Sequence, residues 1–196
     1  MKRKLTELTP KQREEKKKRY KATQTWNQYQ PILIAKGFPA TYADRIILRE
    51  SSTQTVKYLC KNLKSLLSIG LNYEQITKLA AKNGGSKNLK AVQEYFSNLK
   101  TQGLSINQIV KIAAHIGGSK NLKAVKECFE SLQALNFTAN QIVKIAAHNG
   151  GSKNLNAVQE CFTTLQALNF SSDQIVKIAA HDGGSKNLFA VKECFT

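Results

Sequence analysis

The chain has 196 residues and carries 30 Lys plus Arg against 13 Asp plus Glu, a formal net charge of +17. Such an excess suits a polyanionic partner and argues against a basic one. No apolar stretch reaches the ~18 residues of a membrane helix, and the basic N-terminus lacks the apolar segment of a signal peptide, so no membrane partner is expected.

Residues 1–70 read as a basic N-terminal segment. Met1–Lys21 holds ten Lys/Arg against three Glu, a local charge of +7. Within it, Lys16, Lys17, Lys18 and Arg19 suit either a nuclear-import signal or a helix that touches phosphates without regard to sequence. Leu8-Thr9-Pro10-Lys11-Gln12 has the form of a unit start. Counted from Leu8, the side chains of Trp26, Tyr29, Ile32 and Leu33 fall on an apolar stripe, and Arg19 or Tyr20 falls at a loop. Residues 8–37 are thus expected to form a first degenerate unit, with Trp26 as packing. Residues 38–70 form a second, with Arg49-Glu50-Ser51-Ser52 in its loop.

From residue 71 the period is plain. Gln75–Leu89 reads QITKLAAKNGGSKNL, and Gln108–Leu122, Gln141–Leu155 and Gln174–Leu188 differ from one another at one place in fifteen. The units span 71–103, 104–136 and 137–169, followed by 170–196, which stops after 27 residues and suggests a longer array. A 33-residue period is the mark of a solenoid, in which a unit buries its apolar face only against its neighbours. Ser105, Thr138 and Ser171, each three residues before a Gln, form capping boxes that open a short helix. Gly-Gly ends it, and Ser119 is placed to cap a second helix whose Leu122, Val125, Cys128, Phe129 and Leu132 recur at helical steps. The expected fold is all-α, a right-handed superhelical solenoid of two-helix repeats.

The position that varies is Asn83, Ile116, Asn149 and Asp182, always just before Gly-Gly. A constant scaffold with one changing loop residue suits a device that reads one small element per unit. Lys87, Lys120, Lys153 and Lys186 lie just past the glycines, at a helix N-terminus whose free N–H groups and dipole favour an anion. Lys78, Lys111, Lys144 and Lys177 recur too. Cys128, Cys161 and Cys194 share one apolar position and read, with Cys60, as free thiols in a reducing compartment. There is no CxxC pair and no HExxH, so neither a metal nor any other cofactor is expected. No constellation supports an enzyme or a small-molecule substrate.

The unit F-x-x-x-Q-I-V-K-I-A-A-H-x-G-G-S-K-N-L-x-A-V resembles the repeat of transcription activator-like (TAL) effectors, and more closely their divergent TAL-like relatives from other bacteria. The resemblance covers 71–196 strongly and 8–70 weakly. It implies a monomeric, sequence-specific binder of double-stranded DNA with a role like that of a transcription factor. It would work in a bacterial cytoplasm or, if secreted as an effector, in a host nucleus. By the same resemblance, Asn83, Ile116, Asn149 and Asp182 each face one base in the major groove. Lys82, His115, His148 and His181 steady the loop through a backbone hydrogen bond. Gly84, Gly85 and Lys87, Gly117, Gly118 and Lys120, Gly150, Gly151 and Lys153, and Gly183, Gly184 and Lys186 approach phosphates. The N-terminal segment, through Lys16, Lys17, Lys18, Arg19, Tyr20 and Arg49, supplies non-specific affinity. Two departures stand out: the proline that many family repeats carry is replaced by Ser97, Glu130, Thr163 and Thr196, and the aromatic or basic residue the family uses in its second-last degenerate loop is not clearly placed. The rival reading is a protein- or RNA-binding helical scaffold, which would vary residues over a whole concave face rather than at one loop tip.

Overall fold

The computed structural model describes residues 9–47, 52–82 and 84–194, and every regular element among them is an α-helix. In chain order these are α1 (Pro10–Ala35), α2 (Ala40–Ile47), α3 (Ser52–Ser68), α4 (Tyr73–Ala80), α5 (Gly85–Thr101), α6 (Ile106–Ala113), α7 (Gly118–Ala134), α8 (Ala139–Ala146), α9 (Gly151–Ala167), α10 (Ser172–Ala179) and α11 (Gly184–Cys194). From α2 onward, helices of eight residues alternate with longer ones.

The short helices α4, α6, α8 and α10 each begin at a capping box. The Ser105 hydroxyl accepts from the Gln108 N–H, and the Gln108 side chain takes the Ser105 N–H at 2.7 Å. Thr138/Gln141, Ser171/Gln174 and Asn72/Gln75 repeat the arrangement. The same glutamines also reach the next unit, where Gln108 Nε2 donates to Asn140 Oδ1 at 2.9 Å and Gln141 Nε2 to Asp173 Oδ1 at 2.8 Å.

The long helices α1, α3, α5, α7 and α9 each end in a left-handed residue with two reversed hydrogen bonds. At α5 the Leu104 N–H reaches Leu99 O and the Gly103 N–H reaches Lys100 O, both at 3.0 Å. This pattern closes the orphan carbonyls of the last turn. Gly37, Gly70 and Gly103 fill that place with positive φ, and Asn136 and Asn169 fill it at φ 64°. Asparagine tolerates the left-handed region better than other side chains.

The core is one continuous layer. Long helix packs on long helix (α5 on α7, α7 on α9, α9 on α11), and short helix on short helix (α4 on α6, α6 on α8, α8 on α10). Leu122, Val125, Phe129 and Leu132 are fully buried between them. Each such Leu or Phe contributes about 1.5–3 kcal/mol on burial, much of which a lone unit would forfeit.

Three expectations are corrected. Residues 10–35 form one continuous helix rather than a helix pair: Thr9 caps it, Pro10 sits in its first turn, and no glycine interrupts it at the predicted loop around Arg19 or Tyr20. On its apolar side Tyr29 and Leu33 are buried where α1 packs on α2 and α3, but Ile32 is exposed. Cys194 is exposed where Cys128 and Cys161 are buried. The side chain of Trp26 lies outside the described residues.

The second glycine of each pair is fixed by close approach. A Cβ on Gly151 would lie 2.1 Å from Ala146 O and 2.7 Å from its carbonyl carbon, with nothing flexible to give way. Gly103 has open space around it and needs only its left-handed backbone. Gly151→Ala should therefore cost about 1–3 kcal/mol in a urea titration. Gly103→Asn should stay within about 0.5 kcal/mol of the parent, as Asn136 already occupies the equivalent place.

Candidate nucleic-acid interface

The short helix, a four-residue link and the long helix build each loop from both ends. Ala114 closes α6 through its N–H on Val110 O, and the His115 N–H follows onto Ile112 O. The chain then turns back at Gly117, whose φ of +77° makes it the N-cap of α7. Gly150 and Gly183 do the same at φ +74° and +76°, and Gly84 at φ +79°. Ile116 is left at the tip, 63% exposed. Asn149 and Asp182 are exposed at the same place in their loops, so three varying residues stand out from an otherwise constant turn. Asn83, the fourth, lies outside the described residues.

The residue before the tip anchors the turn through its main chain. His115 O accepts from the Gly118 N–H at 2.9 Å, His148 O from Gly151 at 3.0 Å, and His181 O from Gly184 at 2.9 Å. The rings do something else. Those of His115 and His148 stack, with centroids 6.4 Å apart and planes 21° from parallel. Lys82 is exposed at the corresponding place.

The surroundings of these loops are cationic. The His115 imidazole is held below its ordinary pKa, first by burial, then by His148, Lys82, Lys111 and Lys78. Lys87, Lys120, Lys153 and Lys186 are exposed in the first turn of α5, α7, α9 and α11, as are Lys78, Lys111, Lys144 and Lys177 on the short helices.

The anion-binding part of the loop is smaller than the sequence suggested. The second glycines, Gly85, Gly118, Gly151 and Gly184, are buried, and the N–H groups of the last three are held by the histidine carbonyls. Ser119 is not a cap; it lies inside α7, and its N–H is bonded to Asn88 Oδ1 of the preceding unit at 3.2 Å. The Ser152 and Ser185 N–H groups are likewise held, both at 2.9 Å, by Asn121 and Asn154. An anion is therefore left the exposed lysine and the first glycine, not a cradle of free N–H groups. The asparagines responsible are 1–2% exposed.

In the N-terminal part, Lys16 and Lys17 are exposed on α1, and Tyr20 is 67% exposed with its hydroxyl accepting from Gln24 Nε2 at 2.9 Å. Arg49 and the side chains of Lys18 and Arg19 lie outside the described residues. A feature missed in the sequence lies nearby: Lys57, Lys61, Lys87 and Lys90 ring a shallow hollow between α3 and α5. The signal was there. Lys57, Lys90 and Lys123 are 33 apart, and Lys61 stands where the later units have Glu94, Glu127, Glu160 and Glu193. Lys123 pairs with Glu127 at 3.8 Å, so the same surface turns from cationic to mixed along the array.

Among the described residues no group of three or more His, Cys, Asp or Glu could hold a metal, and no helix is long and apolar enough to cross a membrane. Cys60, Cys128, Cys161 and Cys194 are unpaired; burial pushes the Cys128 thiol up to about 11, well away from reactive thiolate chemistry.

The His115 shift has a sign that can be tested. Its folded pKa is depressed, so the unfolded chain binds the extra proton first, and stability falls as pH drops through about 6.5. Thermal unfolding between pH 7.5 and 5 should show that loss in the parent and less of it in His115→Gln. Equal slopes would remove His115 from the account.

Residues 117–148 match the TAL effector repeat family model. The matched stretch is one residue short of a full period and runs from one loop to the next, through α7 and α8. A search of curated proteins finds no match to the chain. The family match supports a TAL-like repeat protein.

Proposed function

We propose that the chain binds double-stranded DNA in a sequence-specific way, reading one base per 33-residue unit in the major groove. The observation that carries this reading is the repeated loop. In the three units whose tip is described, an exposed, variable side chain stands between an anchored residue and a tight Gly-Gly turn, with an exposed lysine beside it. The family match supplies the polymer. On this reading the units wind as a right-handed superhelical solenoid that follows the groove as a monomer, with residues 1–70 as a sequence-tolerant anchor and 71–196 as the reading array. The activity is binding without chemistry, needs no cofactor, and fits a transcription-factor-like role in a reducing compartment.

Base preference follows from the donors and acceptors at each tip. Asp182 only accepts, which suits the N4 amino group of cytosine and opposes the O6 and N7 acceptors of guanine. Asn149 and Asn83 can donate to purine N7. Ile116 can only fit or exclude, and family usage favours adenine. With the strand polarity implied by the resemblance, the array reads purine, adenine, purine, cytosine from 5′ to 3′. The lysines touch phosphate and carry no sequence information.

Two measurements test this. Four duplexes that differ only at the base opposite Asp182 should rank differently for the parent and Asp182→Asn. Preference should move from cytosine toward a purine, with a discrimination of about 1–3 kcal/mol. An unchanged ranking would end the one-residue, one-base mechanism. Separately, Lys153→Ala should weaken binding to all four alike and flatten the log–log salt slope by about one unit.

A further inference from the structure

The buried asparagine three residues past Gly-Gly is where neighbouring loops are joined. Asn121 belongs to α7, yet its polar atoms serve the next unit. Its Nδ2 donates to Ala146 O at 2.9 Å and to His148 O at 3.4 Å, and its Oδ1 accepts the Ser152 N–H at 2.9 Å. It thus holds both ends of the loop that carries Asn149: the last turn of α8 and the first turn of α9. Asn88 and Asn154 repeat the acceptor half on Ser119 and Ser185. The donor half of Asn154 turns instead to its own loop, to Asn149 O at 3.5 Å, the outer limit of a hydrogen bond. That links the tip of one loop to the helix start of the next.

The burial gives the contact weight. Asn88, Asn121 and Asn154 are at most 2% exposed, among few buried polar residues in a largely apolar interior. A buried amide is costly there unless its polar atoms are bonded, and bonding both halves of Asn121 requires the next loop to sit in one place. From within its own unit the loop is held by the main-chain bond from the Gly151 N–H to His148 O at 3.0 Å and by the long Asn154–Asn149 contact, with no buried side chain that spans both of its ends. Gly150, the N-cap of α9, has no side chain to cap the helix.

We propose that Asn88, Asn121 and Asn154 are positioning residues, each setting the base-reading loop of the unit that follows it. Resting on the DNA reading above, this makes specificity at one base depend on the preceding unit. Changing Asn121 alters what Asn149 reads and leaves what Ile116 reads. A repeat moved behind a unit without this asparagine loses discrimination although its own fifteen-residue block is intact.

The experiment uses the full chain and two readouts. In Asn121→Ala, amide hydrogen exchange of Ser152 should quicken by about tenfold, the loss of roughly one hydrogen bond, while Ser119 and Ser185 keep their parent rates. In duplex titrations, discrimination opposite Asn149 should fall by about the same factor and that opposite Ile116 should hold. Should Asn121→Ala fail to fold, Asn121→Asp keeps the acceptor for the Ser152 N–H but sets a carboxylate against two carbonyl oxygens. Ser152 should then stay protected while discrimination opposite Asn149 still drops. An unchanged Ser152 rate in Asn121→Ala overturns the proposal, as does a loss of discrimination opposite Ile116 or evenly at every base. A parent chain with no base preference anywhere would instead defeat the DNA reading, and the exchange rates would then decide the loop linkage by themselves.

Discussion

The architecture depends on one close approach: the second glycine of each pair against the carbonyl four residues beyond the middle of its short helix. At Gly118 a Cβ would lie 2.0 Å from Ala113 O, inside any tolerable contact. Only a hydrogen fits. Because that backbone can sit so near, the short and long helices meet at their ends and the link between them shrinks to four residues, of which Ala114 and Gly117 are caps. So short a link has little room to fold a side chain inward at its tip, and residue 116 points out. The exposure of the variable position is therefore a consequence of the packing of a constant one.

Stacking does the rest. An eight-residue helix is too short to persist alone in water, and α4, α6, α8 and α10 exist because their apolar faces are covered by the long helix of the same unit and by the neighbouring short helix. Units joined this way share both their apolar layer and their polar links, the glutamine ladder on one side and the buried asparagines on the other. A loop is then as rigid as its neighbours make it. That suits a reader of single bases, whose discrimination rests on donor and acceptor placement within a few tenths of an ångström.

Periodicity made most of this legible, and it failed where the period itself failed. The capping boxes, the Gly-Gly turns and the apolar phase of Leu122, Val125, Phe129 and Leu132 follow from short-range rules that repeat four times. Residues 10–35 obey the same apolar phase, but the loop signal was inferred from alignment alone; without a glycine nothing stops a helix of Lys, Glu, Gln and Ala-like propensity, and it runs through. Ser119 has the right chemistry for a cap and the wrong place, since Gly117 in the left-handed region already begins the helix. Asn88, Asn121 and Asn154 were passed over because polar residues in a helix usually face water. Their partners lie 25 to 31 residues away, beyond any local rule. Asn136 and Asn169 as helix terminators were legible in principle, for they occupy the place of Gly70 and Gly103 in the period.

On the DNA reading, charge explains why the stack favours a bound polyanion. The His115 ring lies 6.4 Å from His148, and every charged group that acts on it, Lys82, Lys111 and Lys78, is cationic. The Debye length at physiological salt is about 8 Å, so repulsion between adjacent loops is only partly screened. The lysines at the long-helix starts repeat with the same period and add to it. Apolar burial on the far side of each unit keeps the stack closed against this repulsion. A polyanion lying along the loops reverses the sign of the same interactions, because each cation then faces a phosphate rather than another cation. By linkage, whatever the loops lose in mutual repulsion when empty they regain as affinity when the anion binds. The gain is greatest toward the N-terminal units, where Lys57, Lys61, Lys87 and Lys90 lie together. It is least where Glu127 already pairs with Lys123. On the DNA reading, the charge thus orients the array as well as holding it, with the backbone gripped hardest at the end that carries the anchor.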